Sequence, residues 1–109
     1  MMEFKTVFGP DTGGPSDYYR IPSMITTKNG VVFLNAADKK ARQCGTVRLS
    51  EDDGETFPYS RVLKEDSFVY SSMTQLSDGN IGVLFEPDLE CQNIWFTKFS
   101  LDWIKGKDY

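Results

Sequence analysis

The chain has 109 residues, 39% of them hydrophobic and 26% charged, a formal net charge of −4 and no histidine. That length makes one domain or part of one, and an acidic balance without a Lys/Arg stripe gives no support to nucleic acid as a partner. Without histidine, Ser-His-Asp and Cys-His nucleophile systems and the usual zinc sites are excluded. Any chemistry rests on carboxylates, arginines, tyrosines or lysines, and no metal or cofactor is expected.

The start, "MMEFKTVFGPD", lacks the charged-then-apolar pattern of an export signal. No apolar stretch approaches the ~20 residues of a membrane span. The compartment therefore cannot be read. A Gly/Pro-rich stretch leads into "DYYRIPS", where Arg20 stands between two tyrosines and an Ile-Pro pair. Proline fixes the local backbone and keeps Ile21 extended. An arginine held so rigidly is either a member of a structural ion pair or an anion receptor.

From here the pattern is β throughout. "SMITT" and "VVFLNA" flank Lys28-Asn29-Gly30, and Asn-Gly between apolar runs predicts a hairpin. "TVRLS" and "FPYSRVL" flank the acidic turn "EDDGET". "SSMTQL" and "IGVLFE" flank a second Gly-centred turn at residues 77–80, and "NIWFTKFS" reads as one more strand. Only "SLDWIKGK" has helical character, with Ser100 as cap and Gly106 as stop. Cys44 and Cys91 show no CxxC spacing and read as unpaired packing residues. Short strands with Gly-centred turns predict an antiparallel meander, as in a sandwich, barrel or propeller blade.

Within the acidic turn, Ser50, Asp52, Gly54, Thr56 and Phe57 fit S-x-D-x-G-x-T-aromatic. An Asp side chain can bond the amides of its own turn, glycine supplies positive φ, and hydroxyls tie the ends. The alternative, a calcium loop built on Asp52, Asp53 and Glu55, lacks the twelve-residue ligand pattern. Taken alone, Tyr70 in "FVYSSM" reads as a packing aromatic, and Glu86 closing "IGVLFE" as a strand-end charge.

In order along the chain, "YRIPS", this turn and "VYSSMTQLSDGNIGVLFE" resemble the bacterial sialidases of glycoside hydrolase family 33. "NIWFTKFSLDWI" resembles the closing strand of that family. The likeness runs from Tyr19 to Ile104. It implies a six-bladed β-propeller, an Asp box at Ser50–Phe57, and removal of terminal α-linked sialic acids from glycoconjugates. Arg20 would grip the sialic acid carboxylate, with Arg42 as a second receptor. Arg42 fits the slot before the Asp box better than Arg48, which reads as a solvated strand residue. Tyr70 would be the nucleophile, and Glu86 would brace Arg20. A planar guanidinium suits a carboxylate through two charge-assisted bonds.

The chain departs from the family pattern in length and in parts. Six blades at ~40–45 residues each need more than twice this length. The expected architecture is about one and a half blades: residues 1–34 as the start of a first blade, and residues 35–109 as a last blade carrying the Asp box. The family's acid aspartate has no counterpart in register: Lys39 stands where the second arginine belongs, and Asp38 is misplaced. No glutamate is assigned by motif to the tyrosine; Glu51, Glu55, Glu65 and Glu90 do not match it. The chain is therefore expected to be weakly active or inactive alone. A sialic-acid-binding or purely structural remnant is the alternative, and open strand edges invite self-association.

Overall fold

A computed structural model describes residues 4, 20–37, 43–90 and 92–107 of the chain. The first sheet is built from β1 (Arg20–Thr27), β2 (Gly30–Ala36), β3 (Gln43–Ser50) and β4 (Tyr59–Ser67), in that spatial order. The second joins β5 (Ser71–Gln75), β6 (Ile81–Phe85) and β7 (Trp95–Phe99), again in sequence order. Every pairing is antiparallel. The molecule is an all-β antiparallel meander of two sheets.

Turns form where the sequence places them, and local side chains close them. Thr27 pairs with Gly30 across the first hairpin, and its hydroxyl donates to the Gly30 carbonyl at 3.0 Å. The turn residues are Lys28 and Asn29, neither with positive φ, so the closure rests on the threonine and not on a left-handed Asn-Gly pair. At residues 77–80 the Asp78 carboxylate accepts from the Asn80 amide at 3.0 Å.

Side chains alternate across a strand, so each sheet has two faces. Val32, Leu34, Val47 and Leu49 fill one face of the first sheet, and Ile81, Val83, Phe85 and Phe99 one face of the second. These faces form a common core with Phe68 and Ile104. Each such side chain contributes roughly 1.5–3 kcal/mol on leaving water. β1 and β5 lie beside each other where the sheets meet. The chain passes between sheets at residues 68–70, anchored by the buried Phe68 and Val69.

Three expectations change. β4 runs on through Lys64, Glu65 and Asp66 to Ser67, because Gln43 of β3 pairs with Ser67. The sheets divide between β4 and β5, whereas residues 34 and 35 lie inside β2, within one continuous sheet. Arg48, expected in solvent, is 1% exposed. Its face of the sheet is covered too: Asn35, Thr46 and Ser50 are buried beside it, and its Nη1 donates to Asn35 Oδ1 at 3.1 Å. The polar alternation in "TVRLS" is thus a buried polar row, because both faces of β3 are covered.

The expected helix is a single turn, α1 (Leu101–Ile104), capped by Ser100, whose Oγ accepts from the Trp103 amide at 3.0 Å. α1 follows the second sheet but docks on the first. Arg61 of β4 donates to the Trp103 carbonyl at 2.8 Å and covers its ring at 4.4 Å. Lys105 meets Glu51 at 2.5 Å.

Candidate active site

Tyr70 immediately precedes β5, and Glu86 immediately follows β6. Backbone bonds prolong the β5–β6 ladder past its end: Val69 donates to the Glu86 carbonyl at 3.1 Å, and Glu86 to the Tyr70 carbonyl at 3.0 Å. The Glu86 carboxylate accepts from the Tyr70 amide at 3.3 Å. Backbone and side chain together fix where the tyrosine leaves the sheet. Tyr70 is 57% exposed. It borders a depression of about 260 Å3 lined also by Ser71, Ser72, Leu84, Glu86 and Ile94.

Arg20 is the first residue of β1, where its backbone is paired with Ala36. The register shifts between Arg20 and Ser23, at the Ile-Pro pair. β1 packs beside β5, so Arg20 and Tyr70 stand at the N-terminal ends of neighbouring strands. Arg42, Asp38, Lys39 and Cys91 lie outside the described residues. Cys44 is a free thiol with φ of 63°.

The loop between β3 and β4 is closed by its own side chains. Asp52 accepts from the Thr56 hydroxyl at 2.6 Å, the Thr56 amide at 2.8 Å and the Ser50 hydroxyl at 2.7 Å. Ser50 in turn accepts from the Gly54 amide at 2.8 Å. The Thr56 hydroxyl first, then its amide and Ser50, hold the Asp52 carboxyl at about 2, below its ordinary 3.8. Asp53 and Gly54 take left-handed φ of 59° and 88° to make the bend. Phe57 packs edge-on against Phe33, centroids 6.1 Å apart. Among the described residues, no group of three or more His, Cys, Asp and Glu is placed to hold a metal ion.

Two features escaped the sequence. The Lys64 ammonium gathers Asp66 and the carbonyls of Ser67 and Pro87, tying β4 to the loop after β6. Trp95, the first residue of β7, is 51% exposed, with Ile94 and Phe96 exposed beside it. The run "NIWF" carried a signal for the second: consecutive apolar residues in a strand cannot all face one core.

No protein-family model matches the chain. A sialidase from Micromonospora viridifaciens is 42% identical over 76 residues, covering 70% of this chain and 11% of that protein. An exo-alpha-sialidase from Aspergillus fumigatus is 32% identical over 117 residues, covering 89% of this chain and 29% of that protein. The chain therefore spans less than a third of either curated relative. A Hadza microbial sialidase superposes with a TM-score of 0.66 and 27% identity, over 76% of this chain and 18% of that one. The leech intramolecular trans-sialidase complexed with 2,7-anhydro-Neu5Ac gives a TM-score of 0.67 over 80% of this chain and 17% of that one; its 19% identity speaks to fold alone. Sequence and fold point the same way, and the chain belongs to the sialidase family as a partial β-propeller.

Proposed function

We propose that this chain supplies one side of a sialidase site that removes terminal α-linked sialic acids from glycoconjugates. Tyr70 is the nucleophile, Arg20 and Arg42 receive the sugar's carboxylate, and Glu86 positions Arg20 together with the Tyr70 backbone. The observation carrying this reading is the locked pairing of Tyr70 with Glu86, which presents an exposed phenol beside a depression at the head of β5. The two sheets are two neighbouring blades, meeting at β1 and β5.

The chemistry favours tyrosine for a physical reason. Sialic acid bears a carboxylate on its anomeric carbon. A second carboxylate ~4 Å away would be repelled by about 4 kcal/mol at an effective dielectric near 20. A neutral phenol avoids that penalty. Its oxygen bonds the anomeric carbon as the glycosidic bond breaks, its proton passes to a carboxylate base, and water then cleaves the tyrosine–sugar bond. Neither that base nor the acid for the leaving group is assigned in this chain. Each is typically worth roughly 10²–10⁴-fold, so the chain alone holds sialic acid weakly and turns it over slowly.

Release of a fluorogenic alcohol from an aryl sialoside tests the reading. Turnover above buffer should vanish in Tyr70→Phe, while calorimetry with free sialic acid should show heat that Arg20→Ala abolishes. Binding without turnover would leave the alternative, a sialic-acid-binding remnant, which the unassigned proton-transfer groups favour. Neither heat nor turnover would leave only a structural remnant.

A further inference from the structure

The two sheets are unequal: the first has four strands and the second three. Among the described residues β7 pairs with β6 alone, so its other side is a sheet edge. Two hollows, of about 520 and 580 Å3, border that edge. The first touches Trp95, Phe96 and Thr97, the second Thr97, Lys98 and Phe99, and Leu63 of β4 stands in the wall of both. Successive side chains of a strand point to opposite faces. A hollow that touches three residues in a row therefore lies along the side of the strand, not over one face.

Backbone bonds determine which groups this side offers. The Leu76 amide donates to the Asn80 carbonyl, and the Glu86 amide to the Tyr70 carbonyl. Residues 80 and 86, on either side of β6, thus turn toward β5, and Gly82 and Leu84 turn with them. Direction alternates along an antiparallel ladder, so Ile81, Val83 and Phe85 turn toward β7. Their partners there are Phe99, Thr97 and Trp95. The N–H and C=O groups of Phe96 and Lys98 are left pointing outward, along the open edge. A second β7, related by a two-fold axis through Thr97, meets them in register. Phe96 then lies opposite the partner's Lys98, each such pair exchanging both backbone bonds. Thr97 faces the partner's Thr97, and Trp95 faces the partner's Phe99. Threonine pairs and aromatic pairs are favourable cross-strand neighbours, whereas like charges directly opposite are not. An edge lysine usually discourages pairing, but here it is set beside a ring and not beside a second ammonium. Trp95 and Phe96, 51% and 57% exposed, gain cover on the same step.

We propose that β7 is a dimerisation edge, through which two copies of this chain pair antiparallel about Thr97 and join their second sheets into one. β5, which follows Tyr70, is the opposite edge of that sheet, so both tyrosines stay open. Sedimentation equilibrium of the whole chain should approach the mass of two chains at high concentration. Lys98→Pro deletes an outward N–H and no bond to β6. The variant should keep its circular dichroism spectrum and dimerise at least about tenfold more weakly. Lys98→Ala, which retains that N–H, should dimerise like the parent. Oxidation reads the register: Thr97→Cys should form an interchain disulfide well above the background from Cys44 and Cys91, and Phe96→Cys should not, because its partner is Lys98. A chain that stays monomeric, a dimer that Lys98→Pro leaves equally tight, or cross-linking through position 96 in place of 97 overturns the proposal. If Lys98→Pro fails to fold, the two cysteine variants decide it.

Discussion

At the scale of single residues, Asp52 shows how far a local pattern carries. Its partners, Ser50, Gly54 and Thr56, lie within four positions, so their bonds follow from spacing and turn chemistry. Because its folded pKa is about 2, below the ordinary 3.8, its contribution is present above about pH 4 and is lost as pH falls through 2. Asp52→Asn should therefore unfold at lower denaturant than the parent at pH 7, and the gap should close between about pH 4 and 2 in parallel urea titrations. A gap that stays constant across that range would contradict the bonding seen in the loop. Arg48 shows the opposite case. Nothing in "TVRLS" says that its polar face will be buried, since that depends on Asn35, thirteen residues earlier.

At the scale of elements, strands and turns were legible because alternation and Gly-centred turns act over a few residues. The overrun of β4 was not, because Ser67 becomes strand only by pairing with Gln43. The adjoining close approach is equally invisible in sequence. A Cβ on Gly45 would lie 2.5 Å from the ring of Phe68, which is fully buried and stacked on Phe85 at 4.9 Å. That ring cannot swing aside without opening the core. Gly45→Ala should cost about 1–3 kcal/mol in equilibrium denaturation. An unchanged midpoint would show that the passage from β4 to β5 is looser than its packing implies.

At the scale of the molecule, two sheets share one core, and α1 from the end of the second clamps the first through Trp103, Ile104 and Lys105. Among the described residues, the far face of the second sheet carries exposed apolar side chains. Leu84 and Phe96 are opposed across β6 and β7 and are 51% and 57% exposed. Apolar neighbours on an open sheet favour association. Apparent mass in sedimentation should rise with concentration, and Leu84→Lys should hold the chain nearer to monomer. A parent that stays monomeric at high concentration would show that this face tolerates water.

The sequence alone determined the family, the antiparallel β character, the hairpins, the self-closed loop at Ser50–Phe57 and the Ser100 cap, because each depends on side chains a few positions apart. Tertiary structure decided what depends on distant strands meeting. It placed the sheet boundary after Ser67, buried Arg48 against Asn35, and set Glu86 on the Tyr70 amide. Register and burial arise only when remote segments pack, and local alternation cannot say whether a second face will be covered.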